Sequence, residues 1–148
     1  MKITANAFIF YENKLLVVHH KKLNIWLHPG GHVDENESFL EALIREIKEE
    51  VGLDVEIISN EKFKTNKYDH VDEEPTPFRV SVSVNKRAIR LDYVAETNTN
   101  KISLQEKEIL DYKWINEEEI NELNTKPLFK ELAHEAFKVI KSAKKTER

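Results

Sequence analysis

The chain contains three glycines, Gly30, Gly31 and Gly52, and all three bracket one short segment. Glycines of this kind mark places where a backbone turns sharply or leaves regular structure. The segment between them reads as a helix. Ser38 is a good N-cap, and Glu41 follows three residues on, at the capping-box spacing. Leu40, Leu43, Ile44, Ile47 and Val51 recur at i, i+3, i+4, i+7 and i+11, forming one apolar stripe. Gly52 stands where a left-handed C-terminal cap belongs.

The same helix carries Glu46, Glu49 and Glu50 at i, i+3 and i+4, so the three carboxylates share one side. Such like charges repel by a few tenths of a kcal/mol per exposed pair (~0.2–0.5), and by more if partly buried. A hard divalent cation removes that repulsion. Mg²⁺ takes a few carboxylates, keeps several waters and bridges to phosphates. The plainer alternative is a solvated acidic face, the ordinary fate of a lone Glu-Glu pair. Three features oppose it. Arg45 can pair with Glu41 or Glu49, but Glu46 has only Ala42 and Glu50 at i±4. The acids border the apolar stripe rather than opposing it. The glycines cluster around this helix and nowhere else.

Around the helix the pattern is mostly β. Ala5–Tyr11 and Lys14–His20 form a hairpin turning at Glu12-Asn13. Lys21–Pro29 reads as a loop and His32-Val33 as a short strand. Leu53, Val55 and Ile57 alternate as in a half-buried strand. Residues 61–77 read as a polar surface loop. Phe78–Val84, alternating at Val80, Val82 and Val84, and Ala88–Ala95 are strands joined by Asn85–Arg87. Residues 96–105 are polar loop, Tyr112–Ile115 a short strand and Glu117–Leu123 a short helix. Pro127 opens a last helix, and residues 141–148 read as a solvated tail. This order favours one layered α/β domain over residues 1–148, a mixed β-sheet sandwiched between α-helices.

From Gly31 the chain runs GHVDENESFLEALIREIKEEVGL. It resembles the Nudix box, G-x5-E-x7-R-E-U-x-E-E-x-G-U with U aliphatic, at every defined position. The matching residues are Gly31, Glu37, Arg45, Glu46, Ile47, Glu49, Glu50, Gly52 and Leu53. Seven letters are fixed. At roughly 6% background each, chance agreement at a given start lies below about 10⁻⁸. The resemblance implies a Nudix fold (α/β/α) and a MutT-like pyrophosphatase dependent on Mg²⁺, with Mn²⁺ as substitute. Such an enzyme cleaves the pyrophosphate bond of a nucleoside diphosphate linked to another moiety, by a metal-activated water whose proton passes to a carboxylate.

The resemblance also implies roles. Gly30 would offer its carbonyl to the metal, Glu46 and Glu50 would be its principal carboxylates, and Glu49 a further ligand or the base. Arg45 would orient these carboxylates, and Glu37 would pin the preceding loop to the helix through Arg45 or a metal-bound water. Ile47 and Leu53 would pack. A further glutamate from a later loop is expected at Glu108, six residues before Trp114, with Glu106 as the alternative.

Outside the box the residues speak less directly. Trp26 either packs under the glycine loop or lines a pocket, packing being favoured. His28 and His32 flank the glycines in HPGGH, too few ligands for zinc, and read as substrate-facing or supporting residues. His19 and His20 point to opposite faces of their strand, and His70 stands alone. Tyr68 and Phe78 are aromatics that could stack on a base, although core or surface is the commoner fate. Lys21, Lys22, Arg79, Arg87 and Arg90 could neutralise phosphates or guard a sheet edge.

Composition excludes several classes. There is no cysteine, hence no disulfide, thiolate zinc site or cysteine nucleophile. The net charge of −4 argues against a nucleic-acid polymer as partner. The N-terminus lacks a leader pattern, and no apolar run approaches the roughly 20 residues of a membrane span. A cytoplasmic protein acting on a nucleotide-type small molecule is expected, with its oligomeric state open. The natural substrate could be a nucleoside triphosphate, a nucleotide sugar, ADP-ribose, a dinucleoside polyphosphate or capped RNA. A non-catalytic Nudix-like nucleotide sensor is the alternative. An isoprenoid diphosphate isomerase on a similar scaffold would in its usual form want a cysteine.

Overall fold

The computed structural model describes residues 1–59, 67–68 and 71–146, and no side chain between 60 and 72 or beyond 145. The first hairpin forms as its sequence predicts. Strands β1 (Lys2–Tyr11) and β2 (Lys14–His20) turn through Glu12 and Asn13 at φ +44° and +69°. A two-residue turn with positive φ at both positions matches the right-handed twist of the strands it joins.

Past the hairpin β1 and β2 diverge. The chain from His20 returns between them as β3 (Ile25–Leu27), paired to β2, and β4 (Gly30–His32), paired to β1. β3 lies within the stretch expected as loop, and β4 begins two residues before the strand expected at His32. Both short strands exist because the fork leaves two edges to be paired.

After β4 come helix α1 (Phe39–Val51), β5 (Glu56–Ile58), the pair β6 (Lys67–Tyr68) and β7 (Val71–Asp72), β8 (Arg79–Ser83) and β9 (Ala88–Glu96). β10 (Ile109–Ile115), a 3₁₀ turn (Glu117–Glu122) and α2 (Pro127–Thr146) complete the order. β9 runs parallel to β1 over nine paired residues, from Lys2 with Ala88 to Phe10 with Glu96. The other pairings are antiparallel, giving the mixed order β10-β2-β1-β9-β5.

Alternation along the central strands makes two cores. Ala5, Ala7 and Ile9 of β1 face α1 with Leu43, Ile47 and Val51, whereas Phe8 and Phe10 face α2 with Phe129, Phe137 and Ile140. The sheet is therefore sandwiched between the two helices, as the pattern of strands and helices predicts.

Four expectations need correction. Residues 61–77 include the strand pair β6–β7; the Tyr68 side chain and His70 lie outside the described residues. The strand expected from Leu53 begins only at Glu56, although Leu53 is buried. Val80, Val82 and Val84 are 57%, 60% and 82% exposed despite their alternation. They lie on or beyond β8, an edge strand paired with β9, and among the described residues no element packs closely on that face. The expected tail is helical as far as Thr146, where Lys141 reaches Glu117 at 2.7 Å and Lys144 reaches the Asn13 side chain at 2.8 Å.

Candidate active site

Helix α1 is fixed at both ends. Ser38 Oγ accepts from Glu41 N at 3.1 Å while the Glu41 carboxylate accepts from Ser38 N at 3.3 Å. A cap of this kind contributes about 1 kcal/mol. Gly52 closes the helix at φ +73°. Between these caps the helix buries Ala42, Leu43, Ile47 and Val51, and Glu50 goes in with them, only 4% exposed. Ile44, expected in the stripe, is 39% exposed. The buried face has thus rotated slightly toward the carboxylates.

Glu50 Oε1 accepts from the Gly30 N–H at 2.7 Å. Burial nevertheless pushes its carboxyl up to about 8. The Gly30 hydrogen bond opposes that rise, and the charges of Glu46, Glu108 and Glu49 add to it. Glu46 is also shifted upward, first by burial and in spite of Arg45. These two neighbouring acids are costly to ionise where they stand.

Arg45 organises the rest. Its guanidinium meets Glu37 through two parallel bonds of 2.7 and 2.8 Å, and reaches Glu46 at 3.0 Å and the His32 carbonyl at 3.1 Å. Glu49 and Asp34 lie further off, each at 3.4 Å. Arg45 holds the Glu37 carboxyl down at about 2, helped by the Asp34 N–H. The loop is thereby pinned to the helix. Glu41, the other partner considered for Arg45, is spent on the cap.

The glycines make room. Gly30 sits at φ +153°, where a Cβ would collide with the Ala5 carbonyl and Asn6. At Gly31 the atoms a Cβ would meet first are the carboxylate end of Glu46. Gly30→Ala is expected to destabilise the fold by roughly 1–3 kcal/mol through backbone strain and clash. Gly31→Ala should keep its melting temperature and displace Glu46, losing activity instead. Thermal unfolding run beside an activity assay checks the pair; an equal loss of stability in both would contradict this reading.

Glu46 and Glu50 open on a cleft of about 610 Å³ that Gly30, Gly31 and His32 also line. His20, Lys21, Lys22, Lys107 and Glu108 complete its walls. Glu108 is placed by the end of α1. Ser103 N donates to the Val51 carbonyl at 3.0 Å and Gln105 N to the Glu50 carbonyl at 2.9 Å, satisfying carbonyls a helix end leaves free. Lys21 N then donates to the Glu108 carbonyl at 2.8 Å.

Other sequence-predicted residues lie elsewhere. Glu106 does not line the cleft. Glu49, its side chain 51% exposed, belongs to a groove on the outer side of α1. Trp26 packs against the α2-side core, stacked on His19 at 5.0 Å with Lys113 Nζ 4.5 Å from its ring. Arg79 pairs with Glu135 of α2 at 3.4 Å, and Arg87 sits in a turn at φ +51°. His28 and Arg90 both bind Asp92 on the α2 face, at 2.7 and 3.2 Å. His20, Lys107 and the fully buried Asp92 are the residues sequence reasoning missed. Lys107 adjoins Glu108 and could have been named with it.

The donor set suits a hard divalent cation. It consists of carboxylate oxygens from α1 and from the loop before β10, lining one cleft with space for water and phosphate, and a cation would lower the cost of ionising Glu46 and Glu50. In this arrangement Arg45 and Gly30 N hold those two carboxylates. Among the described residues no three acidic or histidine side chains are already converged as ligands.

Comparison with known proteins agrees with the fold and the motif. A family model described as NUDIX domain matches residues 1–139. A Lactococcus lactis subsp. cremoris protein named a probable DHNTP pyrophosphohydrolase is 34% identical over 84 residues, covering 49% of this chain and 51% of that protein. Nudix hydrolase 5 of Arabidopsis thaliana is 29% identical over 145 residues, 94% of this chain and 43% of that protein. The chain spans about half or less of the length of these curated relatives. A solved NUDIX-family hydrolase from Clostridium perfringens superimposes with a TM-score of 0.78 at 28% identity, covering 93% of this chain and 97% of that one. No helix among the described residues is long and apolar enough to cross a membrane. With a domain match reaching residue 139 of 148, the chain belongs to the NUDIX domain family.

Proposed function

We propose that this protein is a Mg²⁺-dependent Nudix hydrolase that cleaves the pyrophosphate linkage of a nucleoside diphosphate derivative. The observation that carries the reading is one cleft lined together by the buried Glu50, the half-buried Glu46, Glu108 and three lysines. Glu46, Glu50 and the Gly30 carbonyl would hold the cation. When bound, it supplies Lewis-acid polarisation of the phosphate and acidifies a water. Lys21, Lys22 and Lys107 orient the phosphate oxygens as point charges. Glu108, which lines the same cleft, would accept the proton of the attacking water. Arg45 keeps Glu46 turned to the cleft, and Glu49, exposed on the outer side of α1, takes no part in this reading.

The test is phosphate release against a panel of nucleoside di- and triphosphate derivatives, with Mg²⁺, with Mn²⁺ and with EDTA. Metal-dependent release is expected. Glu108→Gln should lower kcat by about 100-fold or more, the usual range for loss of a proton-transfer group, and Glu106→Gln should leave it unchanged. Nucleotide binding without turnover across the panel would favour the sensor instead.

A further inference from the structure

Strand β8 pairs with β9 along one edge and, among the described residues, with nothing along the other. A bare edge offers a row of backbone N–H and C=O groups, which proteins ordinarily guard with lysine, proline or a bulge. Here the guards stand outside the strand. Pro75 and Pro77 precede it, Lys86 and Arg87 follow it, and its pairing with β9 runs without a bulge from Arg79 to Ser83. From Val80 to Val84 there is neither charge nor proline.

The same stretch is apolar and uncovered. Val84 is the most exposed large apolar side chain among the described residues, and Val80 and Val82 are more than half exposed. The β9 partners of Val80 and Val82 are Leu91 and Ile89, which pack in the α1-side core. The valines therefore carry an apolar band of the sheet out to its rim, where it ends unpaired.

The order of residues says what can cover that rim. Val80-Ser81-Val82-Ser83-Val84 reads the same in both directions about Val82. If the strand pairs antiparallel with a copy of itself about that residue, Val82 faces Val82, each Val80 faces a Val84 and each Ser81 a Ser83. Residues directly opposed in such a pair share one face of the sheet, so valines meet valines on one face and hydroxyls meet on the other. Arg79 then lies opposite Asn85, and Lys86 opposite Phe78, with no like charges opposed. Centring the pair on Ser83 would instead set Arg79 against Arg87. Charge at the strand ends has the same sense. Glu73 and Glu74 lead into β8, and Lys86 and Arg87 lead out of it. Antiparallel pairing brings the acidic end of one copy to the basic end of the other, whereas parallel pairing would set like against like.

We infer that β8 is where two copies of this chain associate, pairing antiparallel about a two-fold axis at Val82 and joining their sheets edge to edge. Such an interface uses the same patch on both copies and closes on itself, so the edge is covered without being propagated. A five-residue strand makes a small contact, in the range of transient complexes. None of the three valines lines the carboxylate cleft, and the hydrolase reading stands or falls separately.

Sedimentation velocity from about 10 µM to about 1 mM, the span a weak contact requires, is expected to show monomer passing to dimer and no further. Val82→Glu sets two carboxylates directly opposite each other and should weaken the dimer about tenfold or more. Its melting temperature should not change, because the side chain is exposed. Val82→Lys should act alike, and an equal mixture of the two variants should dimerise again. Because the chain has no cysteine, crosslinking reports the register. Val82→Cys should join to its twin under oxidised glutathione, their Cα atoms lying about 5 Å apart. Val84→Cys, facing Val80, should not. A chain monomeric at about 1 mM would overturn the inference and leave the edge to a different protein. A dimer indifferent to Val82→Glu, equal crosslinking at both positions, or growth beyond a dimer would overturn it as well.

Discussion

Replacing Glu50 by glutamine is expected to lower metal-dependent turnover by more than about 100-fold, beyond the cost of losing an outer partner of a metal ligand. The same change should make the metal-free protein more heat-resistant above neutral pH. Glu50 is buried, and its carboxyl is raised from 4.5 to about 8. The folded chain therefore holds this proton more tightly than the unfolded one. Its contribution to stability is complete below pH 4.5 and is lost as pH rises to about 8, by up to about 1.4 kcal/mol per unit. Glutamine has no such proton, and its amide oxygen can still accept from Gly30 N. Metal binding requires the ionised carboxylate, so Mg²⁺ should stabilise the wild type most at the alkaline end and the variant little. Thermal unfolding from about pH 5 to about pH 9, with EDTA and with Mg²⁺, measures all of this. Identical pH slopes in the two proteins would show that Glu50 is not the buried titrating group.

Arg45→Lys is the second large effect, about 10- to 100-fold in kcat with KM little changed. Lysine carries the charge but cannot supply the planar fork that grips Glu37 through two bonds while reaching Glu46 and the His32 carbonyl. The damage should fall on the position of Glu46 rather than on affinity. The acid side offers a separate readout. Glu37 is held down at about 2, so its contribution to stability is present above pH 4.5 and lost as pH falls through about 2. The lysine variant should lose that support at a higher pH. A KM effect with kcat intact would place Arg45 on the substrate instead.

The helix and its caps were legible because they depend on neighbours in sequence. Ser38, Glu41 and Gly52 act within one turn of where they stand. The carboxylate side of the helix followed from the same periodicity. What remained hidden depends on tertiary company. Val80 and Val82 alternate as a buried strand does, yet only the placement of α1 decides whether anything covers them. The burial of Glu50 comes from the rotation of the helix against the sheet, which Ile44 at the edge of the stripe did not reveal. Asp92 reads as an ordinary polar residue of a strand until His28, 64 positions away, is brought to it. The assignment of Glu108 to a later loop came from resemblance alone, because no local pattern links it to α1.

The tie between that loop and the helix end bears on how such a chain can change over time. Ser103 and Gln105 are bonded to the last carbonyls of α1, and Glu108 is bonded to Lys21. From 103 to 108 the spacing is a ruler with both ends nailed down, and one residue more or less would carry Glu108 out of the cleft. Residues 97–102 are held too, by Thr97 N on the Phe10 carbonyl at 3.0 Å and by Trp114 Nε1 on the Asn100 carbonyl at 3.2 Å, but neither tie reaches α1. Length variation among descendants of this sequence should be absent between Ser103 and Glu108.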